Sequence, residues 1–559
     1  MKKPTPAAPM SLVNKLLFAA ILCIGVILRF YQLTSVPPSL SHDESAIAYN
    51  AYSVWKTGAD EYGRKYPLLY RSFDDYKLPG MVYATVPFVA LFGRSTIAAR
   101  LPSALLGSLT IIAMYLLATE LLGSRRWMTI GKTRFDAALL PALAIAVSPW
   151  HVNFSRQLFE SNGAVFFFTL GTYFLLKSFR RYPAIVAAGI LYVIALYFYY
   201  SVRLVIPFVA LGYLILRWKH VFSDWKTSLI ALILSATLFV PIGREMLTPG
   251  GWERISIVSV VNDGNYIARR DAYVTKLAAQ PTLWNKIVYN RRMALLETVV
   301  ENYWKNIAPH NLFVTGTGTY GALFPLDALL VPLGIIMLWR LGTYSFILVV
   351  IWLITSFFPG AFSVNQPNTL RTLIAAPVFA LLAGLGAIEA YARAKTVRYG
   401  TTVVTAGILL MMCFAFPKFL SAYFIDNPTH NAVAFADGNR QMVDYVRSHE
   451  TKYDRIYISG YYWRPYIFML YWGGIDPSDY AANGFREHYG KYYFTSASWD
   501  TNGTKLLDPN VSLAKLSGDA TTLFILSPQE YTVHQNELRT LDSIDGAVAK
   551  NVFIAATLR

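Results

Sequence analysis

The chain has 559 residues, of which 55% are hydrophobic, 15% aromatic and only 15% charged, a balance too apolar for a soluble protein of ordinary surface chemistry. A formal net charge of +17 would suit a nucleic-acid partner, but the Lys and Arg fall in short clusters between apolar runs, as topology signals do, so nucleic acid is discounted and a polytopic membrane protein expected. Cys23 and Cys413, the two cysteines, both lie inside apolar segments and offer neither a disulfide framework nor a cysteine metal site.

Lys2, Lys3 and Lys15 precede an apolar run from Leu16 that ends in Leu28-Arg29-Phe30 without a small-x-small cleavage site. This predicts a retained anchor with its N-terminus in the cytoplasm. Just beyond it, in Ser41-His42-Asp43-Glu44, Ser41 and Glu44 have the S-x-x-E spacing of a capping box. Ile47, Ala51, Val54 and Trp55 then fall on one face of a helix. Acidic residues gather at helix N-termini for dipole reasons, so a cap alone is the plainer account of the motif. It accounts for Glu44 and leaves Asp43 over.

The next apolar run, Leu78 to Phe92, is short of the roughly 20 residues that cross a bilayer. The one after it, Leu101 to Leu122, is long enough and ends at Arg125, Arg126, Lys132 and Arg134, which the positive-inside rule assigns to the cytoplasm. The short run is therefore expected at the outer interface, within one long extracytoplasmic loop spanning 31–100. Further spans near 136–149, 163–177, 184–200, 203–217, 228–242, 322–339, 343–359, 372–391 and 401–417 keep the later basic clusters inside. About eleven crossings result, with the C-terminus outside.

A second outer stretch, from Gly243 to about Tyr320, mixes charges with Trp252, Trp284, Tyr303 and Trp304 and reads either as an ordered lid or as a plain connecting loop. After Ala422 the apolar density drops. Asp437 to Glu450 suggests an amphipathic helix, and Arg455 to Ser459 and Thr522 to Leu526 suggest buried strands. The expected architecture is an all-α membrane domain over 1–422, carrying the outer loops 31–100 and 243–320, and a small extracytoplasmic α/β domain over 423–559.

Chemistry-bearing side chains concentrate at the outer ends of spans. Lys77, after Asp74 and Asp75, either snorkels to head groups or holds the phosphate of a lipid-linked substrate. Asp74 and Asp75 are most simply solvated, although with Asp43 they could bind a divalent cation. Arg156, Arg203 and Arg371 are candidate anion ligands, with pairing to a structural carboxylate as the alternative.

Asp43-Glu44 after the first span, Lys77-Leu78-Pro79 before the interfacial run, and Arg100-Leu101-Pro102-Ser103-Ala104-Leu105 opening the second span resemble the GT-C glycosyltransferases, in particular glycosyltransferase family 39, the protein O-mannosyltransferase and aminoarabinose-transferase branch. The resemblance is clearest over roughly the first 120 residues and lapses in the C-terminal domain. Many relatives have Lys-Pro-Pro where Leu78 follows Lys77 here. The resemblance implies hexosyl or pentosyl transfer from a polyprenyl-phosphate carrier to a lipid, glycan or protein acceptor on the outer face of a bacterial inner membrane. Asp43 would match the family's catalytic aspartate, with Glu44 beside it, and Lys77 the lysine near the carrier phosphate. A glycosyl phosphate already has a good leaving group, so the residues required are a base for the acceptor hydroxyl and cations for the departing phosphate. Arg371 and Arg203 are expected to join Lys77 there. A single carboxylate acting as base would invert the anomeric centre. No cofactor is called for with certainty; a divalent cation stays open. A lipid-linked glycan transporter, or a membrane-anchored glycan-binding protein using the C-terminal domain, is the competing reading.

Overall fold

Ser11 caps the first helix, α1 (Leu12–Phe30), its hydroxyl accepting the Asn14 backbone N–H. The computed structural model describes residues 11–73, 75–130, 133–462, 464–484, 486–496 and 504–559. Lys2, Lys3, Asp74 and Lys132, all used in the sequence reading, lie outside the described residues. Among the described residues, seven helices are long and apolar enough to cross a bilayer: Leu12–Phe30, Thr96–Arg126, Tyr200–Ser223, Trp225–Met246, Thr343–Ala361, Leu373–Ala394 and Gly400–His430. The other four segments expected to cross fold as Leu139–Val147, Glu160–Lys177, Ala184–Phe198 and Asp327–Leu341, of 9, 18, 15 and 15 residues. The shortest of them rises only about 14 Å, against a hydrocarbon core of about 30 Å. The expectation of about eleven crossings thus exceeds what helix length alone supports.

Two compact units divide the chain. One comprises Met1–Tyr31, Ala104–Ser155 and Glu160–Phe419, the other Gln32–Ser103, Arg156–Phe159 and Leu420–Arg559. In the first, helix Asp327–Leu341 packs on Ala376–Ala394 so closely that a Cβ on Gly334 would lie 1.9 Å from the Leu382 carbonyl oxygen, and one on Gly386 1.8 Å from that of Leu330. Small residues permit this approach where helices associate by packing rather than by expulsion of water. Arg340 and Arg393 both donate to Glu389 Oε1, at 2.6 and 2.7 Å, with Glu389 buried. Part of the basic cluster read as a topology signal is thereby neutralised within the protein. Arg29 is fully buried and donates to the Gly25, Ala146 and Ile145 carbonyls and to His151 Nδ1. Because a guanidinium only donates, that ring nitrogen is the acceptor. The stretch 243–320 is largely helical, with Gly264–Ala279 tied to Arg291–Ile307 by Arg269 on Glu301 at 2.6 Å and by Tyr273 on Glu297 at 2.5 Å.

The second unit contains α2 (His42–Thr57), a hairpin of β1 (Tyr70–Ser72) and β2 (Asp75–Lys77), and α3 (Pro79–Phe92). It also contains a six-stranded sheet in the order His488–Tyr489, Tyr492–Phe494, Arg455–Ile458, Thr522–Leu526, Phe553–Leu558, Leu538–Ile544. The three strands around Arg455–Ile458 run parallel and the remaining pairs antiparallel. Both strands expected from the sequence are present in this sheet, and the amphipathic helix is Asn439–His449. Segments 32–103 and 420–559, which hydropathy assigns to different domains, share this unit. Helix Pro465–Trp472 packs directly on α2.

Candidate functional site

The expected capping box forms at the start of α2. Ser41 Oγ accepts the Glu44 N–H at 3.3 Å, and Glu44 Oε2 accepts the Ser41 N–H at 3.0 Å. Glu44 does more than cap, for its Oε1 also accepts the Leu158 N–H at 3.0 Å and pairs with Arg100 Nε at 3.0 Å, both side chains being fully buried. Arg100 spends its remaining donors on the carbonyls of Leu33 and Pro37, at 3.0 and 2.8 Å, on that of Ser39 at 2.5 Å, and on Glu44 Oε2 at 3.4 Å. Five contacts exhaust the five N–H donors of a guanidinium. The result clamps the 33–39 turn onto the first turn of α2, which fixes where Asp43 stands.

Asp43 precedes the clamped residue and keeps its side chain 34% exposed. Its partner arrives from the hairpin, where the antiparallel register pairs Tyr70 with Lys77, Arg71 with Tyr76 and Ser72 with Asp75. That register, and the stop imposed by Pro79 at the start of α3, leaves the Lys77 side chain 7% exposed with Nζ 2.5 Å from Asp43 Oδ1. Lys77 does not snorkel; its charge is spent on a carboxylate. His42 Nε2 lies 3.8 Å from Asp43 Oδ2. Burial pushes the His42 imidazole below its ordinary value, outweighing the opposite pull of Asp43, with Lys77 and Arg464 adding to the depression. Its ring packs 5.3 Å from Phe73.

The other predicted cations behave differently. Arg156 is fully buried, donates to the Val36 carbonyl at 3.0 Å and lies 4.8 Å from the Phe424 ring and 5.5 Å from that of Tyr423. Arg203 and Arg371 belong to the first unit. Arg203 lies over the Tyr200 ring at 4.2 Å, and Arg371 donates to the Val364 carbonyl at 2.7 Å while its own N–H is capped by Asn368 Oδ1. Asp75 turns back on the Tyr76 N–H at 2.7 Å. Among the described residues no three His, Cys, Asp or Glu side chains converge as metal ligands do. The clamp formed by Arg100 is not evident from its place in the Arg100-Leu101-Pro102 motif. The signal was available, since Arg100 is an arginine at the end of a span, the criterion that selected the other three.

ArnT from Cupriavidus metallidurans, bound to undecaprenyl phosphate, superposes with a TM-score of 0.54 at 14% identity over 97% of both chains. Its apo form gives 0.52 at 13% identity, again over 97% of both. Residues 77–243 match the family described as dolichyl-phosphate-mannose-protein mannosyltransferase. The matched stretch opens on Lys77 and leaves Asp43-Glu44 outside it. A comparison with curated protein sequences found no match. Over residues 77–243 the chain is thus similar to the dolichyl-phosphate-mannose-protein mannosyltransferases, and its fold is similar to that of ArnT.

Proposed function

We propose that the chain transfers a sugar from a polyprenyl-phosphate carrier to a lipid, glycan or protein acceptor on the extracytoplasmic side of the plasma membrane, with Asp43 as general base and Lys77 as the cation that meets the carrier phosphate. The observation that carries this reading is the 2.5 Å contact between Lys77 and Asp43, an acid and a cation in one place on different elements. In the resting protein each neutralises the other. A donor phosphate entering here takes over Lys77 by a charge-assisted hydrogen bond, and Asp43 is released to accept a proton. The acceptor oxygen then bonds to the anomeric carbon, the bond from that carbon to the phosphate oxygen breaks with its electron pair, and the acceptor proton passes to Asp43. Glu44, with its oxygens occupied by four donor groups, positions Asp43 and takes no proton itself. The N-terminus is cytoplasmic and the C-terminal domain outside.

Support comes also from the bound undecaprenyl phosphate of the superposable ArnT. The test is reconstitution in liposomes with undecaprenyl-phosphate-linked sugars and identification of the product. Single displacement yields an inverted anomeric centre. Retention would overturn the assignment of Asp43 as the one base, and carrier movement across the bilayer without bond cleavage would favour a transporter.

A further inference from the structure

Between the spans Trp225–Met246 and Thr343–Ala361, the first unit carries a helix whose amphipathicity is inverted for a surface in water. Along Arg291–Ile307 the buried side chains are Ala294, Thr298, Asn302 and Asn306. Leu296, Val300 and Trp304, each two residues on and so on the opposite face, are exposed, Trp304 by 62%. A helix at an aqueous surface shows the reverse pattern. Polar contacts hold the inner face. Arg269 donates to Thr298 Oγ1 at 2.9 Å, and Asn306 donates to Gln366 Oε1 at 2.8 Å while its Oδ1 accepts the Asn368 N–H at 3.1 Å. A Cβ on Gly360 would lie 2.6 Å from Asn306 Nδ2, so the helix sits hard against the end of the span Thr343–Ala361. The two flanks differ as well. Glu297 and Glu301 face helix Gly264–Ala279 through Tyr273 and Arg269. Tyr303, on the other flank, donates to the Ile354 carbonyl at 3.2 Å and packs on Phe357 and Phe358 at 6.0 and 6.3 Å, all three within that span.

The short helix just before it, Leu283–Val288, repeats the pattern: Leu283, Trp284 and Ile287 are exposed, Trp284 by 68%. Lys286, Arg291 and Arg292, also exposed, stand among these side chains. Three observations therefore coincide. Polar groups turn inward, the apolar stripe runs on to a span whose own Ile354 is exposed, and cations gather at its start. A hydrocarbon surface edged with anions satisfies all three. We propose that helices Leu283–Val288 and Arg291–Ile307 lie in the plane of the membrane as an interfacial platform, docked on anionic phospholipids of one leaflet. Trp284, Leu296, Val300 and Trp304 sink among the lipid chains, while Lys286, Arg291 and Arg292 reach the lipid phosphates. Tryptophan suits the boundary because its ring is apolar and its N–H finds a partner at head-group level. This surface is separate from the Asp43 and Lys77 pair and stands whether or not that pair transfers sugar.

The experiment uses the full-length protein with Cys23→Ala and Cys413→Ala, and adds Trp284→Cys, Trp304→Cys or Asp271→Cys one at a time. Each thiol is labelled with an environment-sensitive fluorophore. The protein is then reconstituted in phosphatidylcholine vesicles with or without phosphatidylglycerol, some of the phosphatidylcholine carrying a spin label near either the head group or the chain end. All three labelled positions are exposed, so the fold tolerates the labels. Fluorophores at 284 and 304 should emit to the blue of the one at 271, which sits on the side of helix Gly264–Ala279 away from Arg269. They should also be quenched more by the shallow spin label than by the deep one, as for a helix lying roughly 5–10 Å into the boundary between head groups and chains. Lys286→Gln, Arg291→Gln and Arg292→Gln together should abolish the gain in quenching that phosphatidylglycerol brings at 284. Water-like emission at 284 and 304, or stronger quenching by the deep label, would overturn the platform. A blue shift without quenching would overturn it too, since a protein, such as a second copy of this chain, would then cover the stripe. Quenching indifferent to phosphatidylglycerol before the three cations are replaced would overturn their assignment to lipid phosphate.

Discussion

Replacing Glu44 by Gln tests whether the clamp under Asp43 is structural. Glu44 and Arg100 are fully buried and paired at 3.0 Å, and the Glu44 carboxylate also accepts the backbone N–H groups of Ser41 and Leu158. The substitution leaves the guanidinium without its counter-charge and turns an NH2 group toward at least one backbone donor. Removing one partner of a buried pair costs about 3–5 kcal/mol, because the remaining charge stays desolvated. Arg100→Met should cost at least as much, since it also strips hydrogen bonds from the carbonyls of Leu33, Pro37 and Ser39. The double variant should recover the ionic part alone and stay below wild type. Thermal unfolding in lipid nanodiscs, with limited proteolysis across 33–39, reads both effects. A Glu44→Gln protein that melts with the wild type and resists protease equally would refute the clamp.

Three further outcomes follow from the same geometry. Lys77→Ala should weaken binding of undecaprenyl phosphate about tenfold or more, since it removes a charge-assisted contact; isothermal titration giving unchanged affinity would remove Lys77 from the phosphate. Stability should depend on pH through Glu61. Burial makes its carboxyl hold its proton up to about 8 when folded, against an ordinary 4.5, so the folded chain binds more protons between those values and stability falls as pH rises from about 4.5 to 8, then levels off. Melting curves of Glu61→Gln should lack that decline, and parallel pH slopes for variant and wild type would count against it. Gly334→Leu should prevent helix Asp327–Leu341 from seating, because even a Cβ there meets the Leu382 carbonyl oxygen at 1.9 Å; a correctly folded, fully active variant would contradict that packing.

The site was half legible in the sequence, for physical reasons that can be named. The Ser41 and Glu44 spacing announced a cap because capping is a local event, completed within three residues. The strands Arg455–Ile458 and Thr522–Leu526 were readable because short apolar runs between turn residues have few other ways to be buried. The Lys77 and Asp43 pair is separated by 34 positions and depends on a hairpin of three-residue strands that no periodicity marks. The position of Arg100 at the end of a span marks it as a candidate, but its task is hidden because three of its five contacts go to carbonyl oxygens, which leave no trace in residue identity. The amphipathic stripe on α2 was only part of its burial: Ile47, Ala51 and Val54 are buried as expected, but so are Ser45, Asn50 and Ser53, while Trp55 is exposed. Packing by α3 and by helix Pro465–Trp472 covers several faces, and the second of these contacts comes from more than 400 residues away in sequence.

Asp43 is the residue on which the account turns, and its conservative replacement is the most direct test. Purified, folded Asp43→Asn protein in liposomes should bind undecaprenyl phosphate much as the wild type does while sugar transfer falls by at least about a hundredfold, the scale of a lost general base. Transfer at close to the wild-type rate by that variant would contradict the proposed chemistry.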